Sequence, residues 1–253
     1  MDIKNSKAIV VGGASGMALA TVELLVKQGA RVAILDLETS NGAELAAGLG
    51  IPFAACNILD YEQTEQVLRD TSAKLGGLNI VVTTAGGGIA KRTLSKSGPH
   101  PMADFSRVID LSLNATFNIS RIAADIMRAE QANEDGERGV IINTASIAAF
   151  EGQIGQVAYS AAKAGVSGMT LTMARDLGSL GIRVMTIAPS LFATGITKGI
   201  PAEMASDLTR DAAFPERMGQ PHEYALLARS IIENPMLNGT TIRLDAGIRF
   251  TPK

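Results

Sequence analysis

Cysteine is almost missing. Cys56 stands alone among 253 residues, so the chain forms no internal disulfide and no thiolate zinc cluster. The two histidines, His100 and His222, lie too far apart in sequence for a helical metal pair, and no metal site is expected. Tryptophan is absent and aromatics are 4% of residues, so aliphatic side chains must fill the core. An excess of either charge is missing too: 23 Lys+Arg against 25 Asp+Glu gives a formal net charge of −2. That removes any electrostatic reason to expect nucleic acid or an anionic membrane surface as partner. No segment approaches the roughly 20 uninterrupted apolar residues needed to span a bilayer. The opening MDIKNSKAIVVGG lacks the basic start and long apolar stretch of a signal peptide. A cytoplasmic location is expected, or the matrix of an organelle such as the mitochondrion if a presequence has been removed.

What the chain does have is alternation. Short apolar runs at Ala8–Val11, Val32–Leu35, Phe53–Cys56, Ile80–Val82, Val140–Ile142, Val184–Ile187 and Thr241–Leu244 read as strands. They lack a polar alternation, which fits parallel strands covered on both faces. Helical stretches lie between them: Met17–Lys27, Ser40–Leu49, Tyr61–Leu75, Ala103–Glu130, Gln156–Leu177 and Pro221–Glu233. In the first, Leu19, Val22, Leu25 and Val26 mark one face, and Gly29 sits where the helix should end. Repeated strand–helix alternation predicts an α/β fold: a single-domain, Rossmann-type, doubly wound parallel sheet of about seven strands with helices on both faces. No linker-like tract breaks it, so residues 1–253 are read as one domain. Lys91–Pro101 and Gln131–Arg138 read as surface loops.

Gly12-Gly13-Ala14-Ser15-Gly16-Met17-Ala18 follows the first strand and opens a helix. Gly12 and Gly16 permit a sharp turn, and the free N–H groups of the helix start favour a pyrophosphate. Asp36 follows the second strand, about 20 residues on, where a carboxylate holds the ribose hydroxyls of NAD. No arginine stands beside it in Leu35-Asp36-Leu37-Glu38, so a 2′-phosphate would meet repulsion. By itself the turn is also compatible with an ordinary strand-to-helix connection. Ala18, where a third glycine is often found, bears on helix–sheet packing more than on ligand contact.

Ser146 falls at the carboxyl end of the fifth strand, and Tyr159-Ser160-Ala161-Ala162-Lys163 opens a long helix. Tyr159 and Lys163, at i and i+4, share a face. Reducing a ketone needs hydride on carbon and a proton on oxygen. A neighbouring ammonium favours the phenolate, and moving a phenol by roughly 3 units corresponds to about 4 kcal/mol. Ser146 would orient the substrate oxygen. Taken alone, the Tyr–Lys pair also fits a surface contact and Ser146 a strand-end cap. No Gly-x-Ser-x-Gly elbow is present, which removes a hydrolase reading.

The order Gly12–Gly16, Asp36, Ala85-Gly86, Ser146, Tyr159/Lys163 resembles the short-chain dehydrogenase/reductase family over nearly the whole chain. The stretch GVIINTASIAAFEGQIGQVAYSAAKAG, with IRVMTIAP and IIENPMLNGTTIRLD, is similar to the family's 3-hydroxyacyl-CoA and hydroxysteroid dehydrogenase branch. The resemblance implies catalytic Ser146, Tyr159 and Lys163, and a substrate contact at Gln153. It implies NAD at Gly12, Ser15, Gly16, Met17, Asp36, Asn57, Ile58, Thr84, Ala85, Gly86, Tyr159, Lys163, Pro189, Phe192 and Thr194. A small-molecule substrate and a homotetramer follow as expectations, with the Ala103–Glu130 and Gln156–Leu177 helices at one interface. Residues 190–214, with Met204 and Leu208, are expected to form a substrate lid, although those apolar residues also suit a core-facing stripe. Four positions depart from the family pattern: Thr83 and Ser112 replace asparagines, Asn57 replaces aspartate, and Ser190 replaces glycine. Asn114 lies about 200° around a regular helix from Ser112 and is a poor substitute. Another secondary or aryl alcohol as substrate, or a silent NAD-binding scaffold, are the other readings left open. Lys91, Arg92 and Lys96 are candidates for CoA phosphates and equally for a solvated loop.

Overall fold

The computed structural model describes residues 1–195 and 209–252. Among them are nine strands: β1 (Lys7–Val11), β2 (Arg31–Asp36), β3 (Phe53–Ala55), β4 (Ile80–Thr83), β5 (Leu94–Ser95), β6 (Gly98–Pro99), β7 (Gly139–Thr144), β8 (Ile182–Pro189) and β9 (Thr241–Leu244). Seven form one parallel sheet in the order β3-β2-β1-β4-β7-β8-β9. The helices are α1 (Gly16–Lys27), α2 (Gly42–Leu49), α3 (Tyr61–Leu75), α4 (Met102–Ile109), α5 (Ala115–Met127), α6 (Val157–Leu177) and α7 (Pro221–Glu233). The chain is a single α/β domain of the doubly wound kind.

The two-residue period of a strand explains the missing polar alternation. Ile9, Val11, Val81 and Ile141 point to one face and pack on Leu68 of α3, Ile119 of α5 and Met173 of α6. Ala8, Val10, Val82 and Ile142 point to the other and meet Val22 of α1 and Tyr224 and Ile231 of α7. Both faces are therefore dry. Ala18 is buried in this second layer, so its methyl does serve helix–sheet packing. Gly29 follows the last turn of α1 at φ +85°, one residue beyond the C-cap Gln28. At α7, Pro221 takes the first helical position, and the Glu223 carboxylate accepts from the Gln220 N–H at 2.6 Å.

Two expectations are corrected. The stretch Ala103–Glu130 is not one regular helix: α4 and α5 are joined by a π-helical turn, Asp110–Asn114, and α5 ends at Met127. The Ala115 N–H reaches back to the Asp110 carbonyl, so one extra residue is wound into the turn. Lys91–Pro101 is not wholly irregular either, since β5 and β6 pair antiparallel within it. The proposed lid is described only in part, and Met204 and Leu208 lie outside the described residues.

Candidate active site

From β1 the chain winds outward through β2 and β3, then returns to place β4 on the opposite side of β1. At such a reversal the loops after the two strands part and leave a crevice at their carboxyl ends. A cleft of about 700 Å³ lies there. Gly12, Ser15, Gly16 and Met17 from the first loop, Asp36 from the end of β2, Asn57 and Ile58 after β3, Thr84, Ala85 and Gly86 after β4, and Thr194 all line it.

Gly12 adopts φ +80°, a conformation costly for other residues. A Cβ there would come within 2.9 Å of the Ala85 backbone nitrogen, so the glycine also lets two loops approach each other. Ser15 begins α1 without a side-chain cap, and the first turn holds no acidic residue. Its N–H groups and positive helix end fit a pyrophosphate. Asp36 is oriented by backbone: its carboxylate accepts from Ala14 N–H at 3.0 Å and Leu37 N–H at 2.7 Å. These residues fit a nicotinamide dinucleotide.

Ser146, Tyr159 and Lys163 converge beside this cleft. Ser146 lies two residues beyond β7 rather than on it, and caps a short 3₁₀ turn, Ile147–Ala149, by accepting from the Ala148 N–H at 3.2 Å. Its hydroxyl is near enough to the Tyr159 phenol to favour the phenolate. Tyr159 and Lys163 share a face of α6, with Lys163 Nζ 5.8 Å from the centre of the tyrosine ring. Lys163 is buried and donates to the Thr144 carbonyl at 2.7 Å. Thr144 is braced in turn: its hydroxyl donates to the Thr83 carbonyl and receives the buried Tyr224 hydroxyl, both at 2.7 Å. Gly86, at φ +155°, joins set and cleft, since a Cβ there would stand 3.3 Å from Lys163 Nζ.

The electrostatics correct the expectation for the pair. Burial pushes the Tyr159 phenol above its ordinary value, with the Ser146 hydroxyl pulling the other way. Burial also pulls the Lys163 ammonium down, to about 8. Loss of water penalises both charged forms, and this outweighs the attraction expected to favour the phenolate.

Other sequence candidates fall elsewhere. The Phe192 ring does not line the cleft: it is buried with Tyr224 and Ile231, in contact with Gly219. Pro189 is buried at the end of β8 and is likewise absent from the cleft wall. Gln153 lines a second cavity of about 610 Å³ with Arg92, Leu94 and Ser160. Asn114 is exposed and donates to Asp110. Ser112, inside the π turn, is buried, accepting from the Gly87 N–H at 3.0 Å and donating to its carbonyl at 2.8 Å. The buried Thr83 hydroxyl has no hydrogen-bond partner. Arg107 of α4 and Leu111 also line the cleft. Sequence spacing missed them because α4 lies far along the chain from the glycine-rich turn.

Residues 6–205 match the family model of short chain dehydrogenases. The chain belongs to that family. It is 47% identical to the 3-hydroxyacyl-CoA dehydrogenase type-2 of Homo sapiens over 99% of this chain and 98% of that protein. The enzyme of that name from Drosophila melanogaster is 46% identical, over 99% of this chain and all of its relative. Among solved structures, 3-hydroxyacyl-CoA dehydrogenase type-2 from Mycobacterium avium superposes with a TM-score of 0.93 at 42% identity, covering 98% of each chain. The chain is thus an oxidoreductase, and family and fold together imply a nicotinamide dinucleotide cofactor. Among the described residues no helix is long and apolar enough to cross a membrane.

Proposed function

We propose that this short-chain dehydrogenase oxidises 3-hydroxyacyl-CoA or a related hydroxysteroid with NAD, and that Ser146, Tyr159 and Lys163 are its catalytic residues. The observation that carries the chemistry is that Tyr159 shares a face of α6 with the buried Lys163, held on the Thr144 carbonyl, with Ser146 close enough to the phenol to oppose its upward shift. The substrate class rests on the names of the relatives. A bound dinucleotide supplies the hydride acceptor. The chain supplies the rest: Ser146 holds the alcohol oxygen, and Tyr159 exchanges the proton with it. Lys163, fixed on Thr144, would hold the nicotinamide ribose of the bound cofactor. With its phenol held protonated by burial, Tyr159 is poised to give a proton to a ketone. Alcohol oxidation needs the phenolate and gains as pH rises.

NAD over NADP is supported by the backbone-held Asp36 carboxylate in the cleft wall. Gln153 belongs to the substrate side, in the neighbouring cavity. Phe192 contributes to the cofactor site through its carbonyl, which accepts from the Thr194 N–H at 2.8 Å, and Pro189 through the end of β8 that leads into that segment. A single domain spanning 1–253 with a lid over 190–214 completes the reading. Exposed Phe117 on α5, with Val157 and Leu171 on α6, gives apolar surface for a second copy and supports a homotetramer. A lone, buried, free Cys56 fits a reducing compartment such as the cytoplasm. Purified protein given NAD or NADP with a panel of 3-hydroxyacyl-CoAs, hydroxysteroids and secondary alcohols tests the assignment. Turnover with NAD on the first two classes supports it, and turnover confined to other alcohols overturns it.

A further inference from the structure

Residues 150–156 join the 3₁₀ turn after Ser146 to the start of α6 and Tyr159. One side of this loop, with Gln153, Ile154 and Gly155, walls the cavity shared with Arg92 and Leu94. The other side is held by residues nearly a hundred positions away. Arg243 of β9 forms a two-pronged pair with Glu151, Nη1 to Oε1 at 2.7 Å and Nη2 to Oε2 at 3.0 Å. Its guanidinium also lies 5.3 Å from the centre of the Phe150 ring. Asp245 accepts from Arg243 Nε at 2.6 Å and steadies the fork. The same carboxylate of Glu151 receives the Phe250 N–H at 3.4 Å. From there the following backbone reaches the loop: the Thr251 carbonyl accepts from Gln153 Nε2 at 3.3 Å and the Pro252 carbonyl from the Ile154 N–H at 3.1 Å. Arg243 and Glu151 are about one-fifth exposed, so solvent screens the pair less than at an open surface.

We propose that Arg243 is a positioning residue for the alcohol substrate. Its fork to Glu151 holds the loop that walls the second cavity, and so sets substrate affinity without touching substrate or cofactor. The proposal rests on the dehydrogenase reading given above. Tyr159 and Lys163 are anchored independently, through α6 and the Thr144 carbonyl, so loosening the loop spares the proton-transfer geometry. The dinucleotide cleft shares no residue with the second cavity. Affinity for the alcohol is therefore the property that changes.

The test compares wild type, Arg243→Gln and Arg243→Lys by steady-state kinetics on whichever alcohol the wild type turns over. Amide hydrogen exchange of residues 150–156 is measured alongside. The expected result for Arg243→Gln is a KM for the alcohol raised about tenfold, with kcat and the KM for NAD within about twofold. Faster exchange in the loop accompanies it. Arg243→Lys keeps the charge but not the fork and falls between the two. Unchanged loop exchange overturns the proposal, as does an equal shift in kcat and both KM values. A wild type inactive on every alcohol would sink the dehydrogenase reading, while the exchange result would still decide whether Arg243 holds the loop.

Discussion

Replacing Lys163 by methionine separates what the ammonium costs the fold from what it does in the site. Burial brings Lys163 from its ordinary 10.5 to about 8, a shift corresponding to about 3 kcal/mol of unfavourable charge burial. Methionine fills similar space and removes that cost. Against this, the variant loses the charge-assisted bond to the Thr144 carbonyl, 2.7 Å long, and deprives that acceptor of its donor, together about 2–4 kcal/mol. The two effects nearly cancel, so Lys163→Met melts within about 6 °C of wild type at pH 7, at about 2–4 °C per kcal/mol for a chain of this length. Dehydrogenase activity falls by about 100-fold or more. The pH dependence has a definite sign. Folded Lys163 binds its proton less tightly than unfolded lysine, so unfolding takes up protons between pH 8 and 10, and wild-type stability gains with rising pH in that window. Tyr159, raised by burial, stays neutral there. Calorimetric melts of both proteins from pH 7 to 10 should show wild type gaining on the variant. A variant keeping more than about a tenth of the activity, or a wild-type advantage that shrinks above pH 8, refutes the reasoning.

Asp36→Ala removes the carboxylate from the cleft wall. It should lower kcat/KM with NAD by about tenfold or more while raising activity with NADP, read by running the same assay with each cofactor. Glu137→Gln strikes the opposite end of the sheet, where Arg183 Nε and Nη2 donate to Glu137 Oε1 at 2.8 and 2.7 Å. Both side chains are buried, and breaking such a pair costs about 3 kcal/mol or more. A melting temperature lower by about 6–12 °C is expected, with kcat per folded molecule unchanged.

Most of the fold was legible because both strand faces are buried. Runs such as Ile80–Val82 carry no polar break, and Tyr61–Leu75 and Pro221–Glu233 end at the residues the pattern indicated. The π turn at Asp110–Asn114 was not legible, since one additional residue in a helix leaves the apolar stripe almost undisturbed. The β5–β6 hairpin was missed because strands of two residues, Leu94–Ser95 and Gly98–Pro99, are too short to show an alternation. Within the site, spacing along the chain located the glycine-rich turn, Asp36 and the Tyr159/Lys163 face. It misjudged the balance of charge there, because burial of both groups is a property of the packed sheet and not of the i, i+4 interval. Arg107 enters the cleft only through the fold, and Phe192 leaves it the same way, turned into the layer around Tyr224.

Proton transfer by Tyr159 is tested most directly by Tyr159→Phe, which deletes one oxygen and keeps the ring against Gly88. Activity should fall by about a thousandfold or more, with NAD affinity and melting temperature close to wild type. A Tyr159→Phe protein that binds NAD normally and still turns over within about tenfold of wild type would contradict the assignment.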